Sequence, residues 1–179
     1  MRHDDGHPPD EKGLIHPLHG GPPDLALYSA PSDTIAENFW LYGEIIMGMT
    51  TDIAERALQA AKAKALEMGE RVAIGVVDAR GDLWSMVRLD GSRWTTSEVC
   101  RGKAAAAAAF GRPSGDLEAT ADHPVFRSIM MIEGGRFIPA KGAVPLIVGD
   151  EVIGGVGVSG ADPNEDEEIA KAGAAATSV

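Results

Sequence analysis

Two apolar runs near the C-terminal end, Val144 to Val148 and Val152 to Val158, flank the polar stretch Gly149, Asp150 and Glu151. β-rich runs on either side of a short Gly/Asp turn predict a hairpin. The second run is almost wholly Val, Ile and Gly, so little of it prefers water on either face. A central strand covered on both sides is expected. Its glycines mark places where another backbone, or a flat ligand, comes close.

An earlier pair of runs, Val72 to Asp78 and Leu83 to Asp90, is joined by the turn Ala79 to Asp82. In the returning strand Leu83, Ser85, Val87 and Leu89 alternate with Trp84, Met86 and Arg88, which gives the strand two distinct faces. Ahead of this hairpin, Ile53, Ala57, Leu58, Ala61, Ala65 and Leu66 recur at helical spacing. They predict an amphipathic helix capped by Thr51 and Asp52 and closed by Gly69. Thr95 or Thr96 opens a second helix, carried by the six consecutive alanines Ala104 to Ala109. A short helix is predicted over 116–121, and a further helical piece over 125–134. A final helix runs from Glu165 to about Ala176, capped by Asp162, Pro163 and Asn164, with an acidic first turn that complements the helix dipole. The order is helix, hairpin, helices, hairpin, helix, with no strand-helix-strand repeat. It predicts an α+β domain with one mainly antiparallel sheet and helices packed against it.

Residues 1–50 read differently from residues 51–179. Pro8, Pro9, Pro17, Pro22, Pro23 and Pro31 block regular structure in the first 33 residues. His3, His7, His16 and His19 lie in the same stretch. His16 and His19 are three apart, a spacing that suits a metal on a helix, but Pro17 between them opposes one. A solvated arm that docks on a neighbouring surface is expected, with a metal or cofactor ligand as the sharper reading. Ser32 and Asp33 then cap an apolar helix bearing Phe39, Trp40, Tyr42, Ile45, Ile46, Met47 and Met49. Such a helix needs a partner surface, either an oligomer contact or a lid.

With 179 residues, 44% of them apolar, the chain is long enough for one domain with a real core plus this appendage. Aromatic residues make up only 5%, so the core is built from small side chains. The net charge of −11 disfavours nucleic acid and anionic membrane surfaces as partners. No apolar run is long enough to span a bilayer, and the N-terminus lacks the layout of a secretory signal, so a cytoplasmic protein is expected. Cys100, the single cysteine, can form no intrachain disulfide and is read as a buried packing residue.

The blocks VAIGVVDARGDLWSMVRLDG, GKAAAAAAFGRPSGDL and GGRFIPAKGAVPLIVGDEVIGGVGVSGADPNEDEEIAKAGAAA together carry a resemblance. From about Thr51 to Ala176 the chain resembles the GlcG/HbpS-type heme-binding family, which includes the C-terminal domain of PduO-type proteins. The last block is the most specific, because hairpin, turn, glycine pattern and acidic helix cap occur together. The resemblance implies a roughly five-stranded antiparallel sheet flanked by helices, similar to profilin- or sensor-like domains. It also implies a homo-oligomer and, in some members, heme as cofactor. Roles in the family extend from heme storage or sensing to cobalamin-related and small-acid pathways. It further implies an axial histidine near the start of the first domain helix. Here that region reads GMTTDIAERALQ and has none, while Met47 and Met49 nearby carry thioethers able to ligate heme iron.

Gly155 to Gly160 fits G-x-G-x-x-G by letter, but the acidic ADPNEDEE that follows is the wrong surface for a pyrophosphate. No hydrolase triad, zinc motif, phosphate loop or CxxC is present. The candidate chemistry is therefore carried by isolated residues. Lys103 enters an alanine-rich helix and needs a partner or a function there. Lys103 and His123 are the candidate acid/base residues. Arg88, Thr96, Arg112 and Arg136 are candidates for holding a carboxylate-bearing ligand, such as a heme propionate or a small organic acid. His16, His19 and His123 are the candidate metal ligands. Three functions follow: an oligomeric heme- or tetrapyrrole-binding protein, a lyase- or isomerase-like enzyme acting on a carboxylate-bearing metabolite, or an accessory subunit.

Overall fold

The computed structural model describes residues 48–177. Helix α1 spans Thr51–Met68. Its N-cap is Thr50, one residue before the predicted cap, and the Thr50 hydroxyl accepts from the Ile53 amide at 3.2 Å. Gly69 ends it with a φ of 77°, in the left-handed region that glycine enters without penalty. Ala54, Ala57, Ala61 and Ala65 form its buried stripe. Leu66, expected on that stripe, is exposed.

Strand β1 (Ala73–Asp78) and β2 (Leu83–Arg88) make the first hairpin. The Asp78 carboxylate holds its turn. It accepts from the amides of Arg80 (2.9 Å) and Asp82 (3.1 Å) and from the Trp84 indole (3.1 Å). Helix α2 covers Thr96–Phe110. A 3-10 helix follows at Ser114–Thr120, then α3 at Pro124–Ile132. Strands β3 (Ala143–Val148) and β4 (Glu151–Ser159) make the second hairpin, and α4 runs over Pro163–Ala175.

The described strands form one antiparallel sheet in the order β2-β1-β4-β3. The α+β class is as expected, but the sheet has four strands among the described residues rather than about five. Strand β4 is central and covered on both faces. Val156 and Val158 turn toward α1 and α4, joining Ala57, Ala61, Ile74, Val76 and Ile169 in the main core. Gly155 and Gly157 turn toward α2, so the side-chain alternation of a strand here becomes an alternation of bulk. A Cβ at Gly157 would lie 2.2 Å from the Cys100 carbonyl, and one at Gly155 would lie 2.5 Å from that of Ala104. The glycine pattern and the alanine run are thus two halves of one close contact, in which helix backbone lies almost on strand backbone.

That contact also accounts for the first two glycines of the G-x-G-x-x-G letters, while the third, Gly160, has a φ of 140° and lies against the Arg71 carbonyl. The loop after β4 leads into an α4 whose first turn is already capped. Asp162 accepts from the Asn164 amide, and the Glu165 side chain accepts from the Asp162 amide in a capping box. No open N-terminus is left for a phosphate. The arm, the apolar helix, His16 and His19 lie outside the described residues. Met49 is described and is buried in the main core, with its methyl group against Gly154. It packs there, so this thioether is committed to the core, while Met47 lies outside the described residues.

Candidate functional site

Helix α2 is narrow because of its alanines, and it carries one charged residue inward. Lys103 is 5% exposed. An isolated buried ammonium would cost several kcal/mol, and the fold supplies its partners from 55 and 63 residues away. Nζ donates to Asp166 Oδ2 at 3.0 Å and to the Val158 carbonyl at 3.1 Å. The other oxygen of Asp166, Oδ1, accepts from the Ala161 amide at 3.1 Å. Gly142 makes room for the pair, since a Cβ there would lie 2.6 Å from Nζ. The ion pair thereby ties α2, β4 and α4 together at one end of the sheet.

Above this pair lies a cleft of about 780 Å³. Arg71, Arg93, Thr95, Thr96 and Ser159 line it together with Lys103, and the carboxylates of Glu70 and Asp166 share the wall. The Thr96 hydroxyl donates to the Arg93 carbonyl at 2.6 Å and fixes the loop entering α2. Cys100, one turn before Lys103, is fully buried, and desolvation pushes its thiol up to about 12. It is a packing residue, as the sequence predicts.

A second hollow, of about 380 Å³, lies on a different part of the surface. Phe110, Val125, Phe126 and Ile129 line it, with Arg112, Thr120 and His123 among them. The Phe110 and Phe126 rings stack with centroids 5.1 Å apart, and Phe110 meets Phe137 edge-on at 6.0 Å. His123 is the N-cap of α3, and Pro124 starts the helix. Its imidazole is exposed and has no hydrogen-bond partner among the described residues. Val125, Met131 and Ile132 of the same helix are largely exposed.

The predicted site residues therefore fall in different places. Lys103 and Thr96 share the polar cleft, while His123 and Arg112 share the apolar hollow. Arg88 lines a groove of about 440 Å³ with Lys62, Leu66, Leu89 and Asp90, and this groove shares Glu70 and Arg71 with the cleft of Lys103. Arg136 pairs with Asp82 at 3.4 Å and sits 3.2 Å from Glu133 without hydrogen-bond alignment. It also donates to the Arg80 carbonyl and brackets the β1–β2 turn. Arg88, Arg112 and Arg136 thus do not line the cleft of Lys103. Sequence reasoning missed Ser159 and Asp166. Asp166 looks like an ordinary acidic residue of a helix first turn, and its pairing with Lys103 has no local signature. Among the described residues no group of three or more His, Cys, Asp or Glu side chains is placed to hold a metal ion.

Comparison with known proteins adds the following. The sequence profile of the family described as "Haem degrading protein HbpS-like" matches residues 49–175. An uncharacterized 15.0 kDa protein of the dhaT-dhaS intergenic region of Citrobacter freundii is 29% identical over 127 residues, covering 70% of this chain and 89% of that protein. A double mutant of Streptomyces reticuli HbpS superimposes with a TM-score of 0.64 at 26% identity, covering 72% of this chain and 86% of the other. The structure of a PduOC:heme complex superimposes with a TM-score of 0.65 at 23% identity, covering 73% and 95%, a likeness of fold.

Proposed function

The chain belongs to the HbpS-like family, and from that premise we propose that it is a heme-binding protein whose apolar hollow takes one face of the macrocycle. The observation that carries this reading is the setting of His123. It is the one imidazole among the described residues, it is exposed and unpartnered, and it stands at the rim of an aromatic hollow beside a guanidinium. Those residues fit the group. Phe110, Phe126, Val125 and Ile129 present apolar surface to a flat ring system. His123 would present an imidazole nitrogen to the iron. Arg112 offers a planar fork of N–H donors to a propionate. When bound, heme would supply iron that binds ligands and changes oxidation state. The residues of this chain bind and orient it. The exposed Val125 and Met131 on α3 support a homo-oligomer in which a second copy covers the outer face of the group. The stretch around the start of α1 contains no histidine, and His123 would hold the iron from a different element.

The test is a titration of the full chain with hemin, following the Soret band. A sharp shifted band that saturates at one equivalent per chain is expected, lost in His123→Ala and weakened in Arg112→Ala. A doubly substituted His16→Ala/His19→Ala chain is expected to keep it. Broad, non-saturating absorbance overturns heme binding. A band that survives His123→Ala but is lost with the arm histidines overturns the hollow as its site.

A further inference from the structure

We propose that the cleft over Lys103 is a second ligand site, separate from the apolar hollow, and that it binds a small monocarboxylate anion. Three observations meet there. First, the lining carries three cations, Arg71, Arg93 and Lys103, against two carboxylates, Glu70 and Asp166. In a chain with a net charge of −11 this concentrates positive charge at one place. Among the described residues neither Arg71 nor Arg93 has an acidic partner, whereas the other buried or bracing cations do. Second, Ser159 is only 8% exposed, lines the cleft, and its hydroxyl has no hydrogen-bond partner among the described residues. The hydroxyl is the accessible part of this otherwise buried residue, and it offers a donor and an acceptor to the space. Third, the Lys103 ammonium has three N–H groups, and two are taken by Asp166 and Val158. The remaining one belongs to a side chain on the cleft wall.

The charge balance sets the class of ligand. One excess positive charge complements one negative charge. A dianion such as phosphate or sulfate would meet two fixed carboxylates with less compensation, and the first turn of α4, which could otherwise receive it, is filled by the Asp162 carboxylate. A carboxylate also matches the planar fork of an arginine, which Arg93 presents at the loop into α2. The hydroxyls of Ser159 and Thr95 suit a hydroxyl or carbonyl oxygen next to the acid group.

Lactate is the probe, by isothermal titration calorimetry on the full chain, with malonate, inorganic phosphate, sulfate and neutral acetamide in parallel. Saturable lactate binding is expected, with the dianions weaker and acetamide silent. Arg93→Ala is expected to weaken lactate about tenfold, the loss for one charge-assisted pair. Ser159→Ala is expected to weaken it less. Arg93 is on an exposed loop, and an unchanged thermal melt confirms that the variant folds. Hemin binding is expected to be unchanged in Arg93→Ala, and lactate binding unchanged in His123→Ala, so this site and the heme reading fail independently. No lactate binding at millimolar concentration overturns the proposal, as does binding indifferent to both substitutions. Phosphate or sulfate binding as tight as lactate overturns the assignment of ligand class.

Discussion

The polar cleft and the apolar hollow are both depressions beside α2, but they are anchored to different depths. The floor of the cleft is a buried ion pair that links a helix, a central strand and a second helix across more than 50 residues of sequence. The hollow rests on a satellite cluster of Phe110, Phe126 and Phe137, assembled from the end of α2, the short α3 and the extended segment after it. The charged region is therefore the one more deeply built into the architecture. A site whose polar groups also hold the core together has little freedom to be altered, whereas a site on a satellite cluster can change its lining without disturbing the sheet.

Equilibrium denaturation of variants would break or sharpen this contrast. The largest effect is expected for Lys103→Met, which leaves Asp166 buried without its cation. A loss of about 3–5 kcal/mol is expected, and the double variant Lys103→Met/Asp166→Leu should recover much of it. A loss under about 1 kcal/mol for the single variant would show that the pair is solvated and the cleft floor open. Next comes Phe126→Ala, which removes a stacked ring from the satellite cluster. About 3 kcal/mol is expected, the low end for a buried phenylalanine, because α3 can settle into the space. A cost above that of Lys103→Met would reverse the ranking of the two regions.

The most gradual expected effect, spread over a wide alkaline range, is a pH dependence beneath the cleft. Desolvation raises the Cys100 thiol from 9.0 to about 12 in the folded chain. The unfolded chain releases this proton near 9.0 while the folded chain keeps it. The contribution to stability is therefore full below pH 9.0 and is lost as pH rises toward about 12. One such proton gives a slope of about 1.4 kcal/mol per pH unit. Cys100→Ala should show that much less alkaline destabilisation over the same range. Equal slopes in the two chains would mean that water reaches the thiol and that the packing between α2 and β4 is looser than the structure shows.

The elements were legible because their signals are local. The alternation in Leu83 to Arg88, the alanine stripe of α1, the Gly149–Asp150 turn and the acidic cap at Asp162 each act within a few residues, and each element lies within a few residues of its predicted place. The small shifts come from caps: Thr50 replaces Thr51 because its hydroxyl reaches the Ile53 amide. The sites were less legible. Lys103 stands out in sequence as a charge in an alanine helix, but nothing near it points to Asp166. Arg136 looks like a free cation in a glycine-rich bend, yet it braces the turn at Asp82.

The sequence by itself determined that this chain forms an antiparallel α+β domain with a core of small residues, and that α2 carries a lysine needing a partner. Periodicity, capping and side-chain volume are properties of neighbouring residues, so they survive in a one-dimensional reading. Only the tertiary structure decided which charges meet. It paired Lys103 with Asp166, left Arg71 and Arg93 facing a shared cleft, and set His123 beside Phe110 and Phe126 instead of beside Lys103. Electrostatic and aromatic contacts depend on distance in space, and the chain reversals that set those distances leave no mark on the residues they bring together.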